Sequence, residues 1–115
     1  MKKNFFNHDI YSQINGQLVN NNHYYSIRIF YEDTDVGGIV YHSNYLKYFE
    51  RARTSLLNLI KINQKDLLQK QKLSCFVRKI NIRINKSFSF NEILFVNSCL
   101  KKKKKSSIIL NQEAY

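Results

Sequence analysis

Between Arg28 and Arg53 the chain reads "RIFYEDTDVGGIVYHSNYLKYFERAR". The carboxylates Glu32, Asp33 and Asp35 crowd together there, followed by adjacent Gly37 and Gly38 and then by His42. A carboxylate facing a polarised carbonyl can attack it directly or activate a water. The same residues have a plainer use, because Asp in a turn commonly holds loop amides. His42 likewise has a structural or capping reading beside a catalytic one. A metal site built from Asp33, Asp35 and His42 is conceivable, but the spacing matches no strong ligand signature. Residue types alone leave these readings open.

Whichever reading holds, flanking elements must position these groups. "YYSIRIFY" from Tyr24 alternates and is rich in aromatic and β-branched residues, which predicts a strand ending near Asp33. On a strand Asp33 and Asp35 would point the same way and Glu32 the other. The paired glycines then favour a turn. Tyr45, Phe49, Ala52, Leu56 and Leu59 follow at helical spacing, predicting a helix over about 44–60 with Ser43 or Asn44 capping its start. Such a helix would aim unpaired N–H groups and the positive end of its dipole at the carboxylate turn. Donors of that kind can hold a developing oxyanion.

The rest of the chain supplies a sheet. "NQKDLLQKQK" predicts a short second helix on a polar surface. "CFVRKINIRIN" sets Phe76, Ile80, Ile82 and Ile84 against Val77, Lys79, Asn81 and Arg83, the pattern of a long half-buried strand. "EILFVNSCLKKKKK" and "SSIILNQEAY" predict a hairpin. Strand, long helix and then a run of strands give an α+β domain in which an antiparallel sheet wraps one helix. Residues 1–23 have no sustained period and are expected to be a polar, mobile lead-in, leaving 24–115 as the domain.

Composition limits the function further. At 115 residues the chain fits one domain, and 43% hydrophobic residues with 14% aromatics suffice for a core. So small a domain buries only about 60–70% of its unfolded surface, which favours oligomers. The formal charge of +11 invites a nucleic-acid reading. However, abundant Lys, Asn, Ile, Phe and Tyr with scarce Ala and no Pro is what an AT-rich genome writes, so no specific nucleic acid is expected. "KKKKK" at 101–105 fits a solvated hairpin end. Asn7, His8 and Asp9 interrupt any signal-like core after the first lysines, and no run approaches a membrane span. A cytoplasmic location with free, buried Cys75 and Cys99 is therefore expected.

The stretch from Tyr24 through "YEDTD", "GG-V-YH" and "YFERAR" resembles bacterial hotdog-fold acyl-CoA thioesterases. It is most similar to the Tol–Pal-associated, YbgC-type branch, kin to 4-hydroxybenzoyl-CoA thioesterases, and the likeness resumes at "FVRKINI". The resemblance implies the hotdog fold, hydrolysis of an acyl-CoA or acyl carrier protein thioester, no cofactor and a homodimer or homotetramer. It implies that Asp35 is the catalytic carboxylate and that His42 positions substrate or water, with a backbone amide near His42 polarising the carbonyl. Tyr31, Gly38 and Tyr41 fall at substrate-binding positions. Arg78 and Lys79 are candidates for the coenzyme phosphates, the alternative being the solvated face of an edge strand. Glu50 is a rival nucleophile, although a helix salt bridge with Arg53 explains it more simply. The family pattern continues for another strand beyond Tyr115, so an incomplete domain, a catalytically weak remnant or a binding module, is the alternative expectation.

Overall fold

The computed structural model describes residues 14–115. Four strands form one antiparallel sheet in the order β1–β2–β3–β4, with β1 at Gln17–Val19, β2 at Asn22–Arg28, β3 at Ile93–Lys103 and β4 at Ile108–Ala114. Helices α1 (Asn44–Leu59) and α2 (Gln64–Gln71) separate β2 from β3. The α+β layout and the long helix are as the sequence predicts.

The sheet begins earlier than its alternation suggests. Residues 1–13 of the expected lead-in lie outside the described residues, but 17–23 belong to the sheet. Val19 pairs with Asn22, and Asn20 and Asn21 between them take φ of 49° and 66°. Asparagine tolerates that left-handed region, and two such residues make the turn that matches strand twist. Just upstream, Gly16 has φ +75°, and a Cβ there would strike the Tyr24 carbonyl. His23 on β2 is buried and its Nε2 lies 2.7 Å from the Asn15 carbonyl, fastening this edge.

One face of the sheet carries the core. Ile27 and Ile29 from the first long strand and its extension meet Leu94 and Val96 of β3, and α1 lies across them with Tyr45, Tyr48, Phe49 and Ala52. The buried stripe of α1 is rotated from the predicted one: Tyr48 and Ser55 are buried, while Leu56 and Leu59 are only half-buried. Gln112 on β4 locks helix to sheet, donating to the Phe49 carbonyl at 3.1 Å and to Ser98 Oγ at 2.9 Å. Arg53 donates to Gln112 Oε1 at 2.9 Å. Burial lowers the Arg53 pKa, an effect that the nearby Glu50 carboxylate opposes.

Two expectations fail. "CFVRKINIRIN" forms no strand: it lies outside the sheet, with Phe76 80%, Ile80 46% and Ile84 47% exposed. Alternation marks a surface suited to a sheet, but a ladder also needs a neighbour, and among the described residues β4 has only β3 beside it. Cys75 belongs to that segment and is exposed rather than buried, although both thiols are free as expected.

Candidate active site

The acidic stretch leaves the sheet as a tight, internally bonded loop. After Arg28 the chain makes a 3-10 turn at Tyr31–Asp33, so the strand does not reach Asp33. Asp33 closes that turn, its Oδ2 accepting the Phe30 amide at 2.9 Å. Its carbonyl accepts both the Tyr41 amide at 2.9 Å and Asn44 Nδ2 at 2.8 Å. Asp33 is therefore committed to the backbone, which is the turn-former reading.

Asp35 sits at the base of a small β-turn. Its amide donates to the Ile39 carbonyl at 2.9 Å and its carbonyl accepts Gly38 N–H at 3.0 Å. One side-chain oxygen, Oδ1, accepts the Gly37 amide at 2.8 Å. The side chain is exposed, and Oδ2 has no hydrogen-bond partner among the described residues. Gly38 takes φ +79°, the conformation that permits the reversal. Isolated bridges Thr34–Val40 and Ile39–Ser89 hold the turn, and Val40 donates to the Phe88 carbonyl at 2.8 Å.

From Tyr41 the chain runs directly into α1. His42 is exposed and its ring leans on Tyr41, centroids 4.4 Å apart. Among the described residues the His42 amide has no recorded backbone acceptor. Ser43 takes the N-cap position with helical φ and ψ, and its side chain caps nothing, contrary to expectation. Asn44 instead reaches back to Asp33, and the Asn44 and Tyr45 amides donate to the Tyr41 and His42 carbonyls at 2.9 and 3.3 Å, which leaves the His42 and Ser43 amides just before α1 open to solvent or ligand. Tyr31 is 74% exposed and stacks on Phe90 at 3.6 Å, forming an aromatic ledge beside the loop.

The structure thus gathers Tyr31, Asp35, Gly38, Tyr41 and His42 into one loop and helix entrance. Arg78 and Lys79 are not brought to it by any described contact; both are exposed on the unpaired segment. Glu50 is exposed on α1 and accepts the Thr54 hydroxyl at 2.9 Å.

Three further residues support the site: Phe88 and Tyr48 escape the sequence reading, and Asn44 is expected there only as a helix cap. Asn44 is buried and braces Asp33. Phe88, buried, supplies the carbonyl that holds Val40. Tyr48 is 1% exposed, with its hydroxyl unpaired at hydrogen-bonding distance. Burial first, and then the nearby Asp33 charge, raise its pKa and keep it a neutral phenol. Of the two that escape, only Tyr48 leaves a signal, lying one turn from Tyr45 on the helix.

An antiparallel sheet laid on one long helix is the hotdog fold. The model of the Thioesterase-like superfamily matches residues 30–115, and the chain belongs to that family. It is 35% identical over 95 residues to acyl-CoA thioesterase YbgC of Haemophilus influenzae, covering 83% of this chain and 70% of that protein. The chain spans 63% of the Escherichia coli YbgC acyl-CoA thioester hydrolase, at 30% identity. Among solved structures, a probable thioesterase from Bartonella henselae superposes with TM-score 0.76 and 25% identity, over 82% of this chain and 78% of that one. The 4-hydroxybenzoyl-CoA thioesterase of Pseudomonas sp. strain CBS-3 gives TM-score 0.77 over 82% and 69%; at 17% identity it speaks to the fold alone.

Proposed function

We propose that this chain hydrolyses acyl-CoA thioesters to the free acid and coenzyme A. The observation that carries the reading is the pairing of Asp35, one carboxylate oxygen fixed and one free, with a helix entrance one loop away that no side chain caps and where the His42 amide has no backbone acceptor. The YbgC relatives add the substrate class. The thioester carbonyl lies between them, its oxygen toward the amides at His42. Asp35 either attacks the carbonyl carbon, giving an acyl–aspartyl anhydride that water then cleaves, or takes a proton from water whose oxygen attacks. In both routes the tetrahedral intermediate collapses with loss of the coenzyme thiolate, which leaves protonated as the thiol. An oxyanion donor of this kind contributes roughly 10²–10³ in rate. His42 orients substrate or water, and Tyr31, Gly38 and Tyr41 line the acyl side.

Purified protein should release free thiol from acyl-CoA. A second reading, acyl-CoA binding without turnover, is favoured by the segment of Arg78 and Lys79 standing outside the sheet. Binding with no thiol release would establish it in place of hydrolysis. No helix of the described residues is long and apolar enough to cross a membrane.

The coenzyme phosphates fall to Arg78 and Lys79. Replacing either by Ala should raise KM several-fold while kcat stays near the parent value, because contacts remote from the carbonyl bind ground and transition states alike. An unchanged KM in both variants would assign them to solvent. The assembly is a homodimer or homotetramer that covers the exposed Phe76, Val77 and Ile80. Light scattering should give at least twice the chain mass, and an active monomer would contradict it.

A further inference from the structure

The β3–β4 hairpin outgrows the sheet. The β2–β3 ladder ends at Asn22–Cys99, so among the described residues Leu100 to Lys103 pair with Ile108–Leu110 alone. At about 3.4 Å per residue these four residues make an overhang of roughly 13 Å. It closes through the Lys104 amide donating to the Ser107 carbonyl at 2.8 Å. The register shift between Leu100 and Lys102 gives Lys101 no separate partner. Leu100 lies opposite Leu110 and Lys103 opposite Ile108, all on one face, whereas Ile109 and Lys102 share the other. Leu100 is 51% exposed, Ile108 58% and Ile109 42%. Lys101 to Lys105 are all exposed, and no carboxylate interrupts the sequence from Ile93 to Gln112.

A lysine run by itself is a solvated surface. Here it caps a projecting ribbon whose aliphatic side chains also face water, although two-stranded ribbons have little stability to spare. We propose that this hairpin tip is a docking element for an anionic phospholipid surface. Lys101 to Lys105 pair with headgroup phosphates while Leu100 and Ile108 enter the boundary between headgroups and acyl chains. Charge complementarity restricts the partner to a polyanion, and the aliphatics select among polyanions. The ribbon from Val96 to Gln112 has no aromatic and no arginine with which to stack on or fork toward nucleic acid. Leucine and isoleucine gain nothing against a sugar–phosphate backbone, whereas they gain burial in a lipid interface.

Cosedimentation of the full chain with phosphatidylcholine vesicles, and with equimolar phosphatidylcholine and phosphatidylglycerol, tests this. Binding is expected on the anionic vesicles only and should weaken as salt rises. Each Lys→Gln change within 101–105 should lower the partition coefficient about five-fold. Ile108→Asn should lower it at every salt concentration, with the melting temperature and thiol release of the lysine variants unchanged. Equal partition onto both vesicle types, or indifference to three combined Lys→Gln changes, would overturn the proposal. So would tighter binding to polyuridylic acid that ignores Ile108→Asn, or an Ile108→Asn effect on oligomer mass with none on vesicles.

Discussion

Phe88→Ala should cost about 3–5 kcal/mol of folding stability, the usual range for removing a large buried aromatic. Phe88 is 2% exposed, its ring meets Tyr45 edge-on at 6.4 Å, and the Lys86 ammonium stands over the ring 5.0 Å from its centroid. Its backbone also receives the Val40 amide, so the residue joins the core to the candidate catalytic turn. A domain with about 5–15 kcal/mol in all would lose a large share of its stability. Denaturant unfolding should therefore show a much lower midpoint with the same slope. Phe90→Ala is the comparison, because Phe90 is 39% exposed and its main described ring partner is Tyr31. A Phe88→Ala loss no greater than that of Phe90→Ala would contradict the placement of Phe88 in the core.

Phe88 also marks where the sequence ceased to be legible. The α1 boundaries came within a residue because aliphatic and aromatic spacing reports a helix through local geometry alone. Its exact buried face did not, since Tyr48 and Ser55 are polar enough to be assigned outward until a sheet lies against them. The Asn20–Asn21 turn is not legible because asparagine is common in loops of every kind, and only the backbone shows the left-handed pair. "CFVRKINIRIN" has a strand's alternation, but whether it is paired depends on what lies beside β4, which no local pattern encodes. Within the site, the motif located Asp35, Gly38 and His42 on one turn. It could not separate the aspartates' duties: only the fold reveals Asp33 bonded to Phe30, Tyr41 and Asn44 while Asp35 keeps an oxygen free.

That division of labour makes Asp35→Asn the most direct measurement of the proposed chemistry. Asparagine keeps the shape, and its side-chain oxygen can still accept the Gly37 amide, so the turn should persist. The negative charge and the attacking or proton-accepting lone pair are lost. Asp33→Asn is the matched control, because its amide oxygen can still accept from Phe30. With acyl-CoA as substrate, kcat should fall roughly 10²–10⁴-fold in Asp35→Asn, the range typical of a lost general base. Binding should persist and Asp33→Asn should lose far less. Equal losses in both variants, or Asp35→Asn activity within a few-fold of the parent, would contradict a catalytic Asp35 and leave it a loop former.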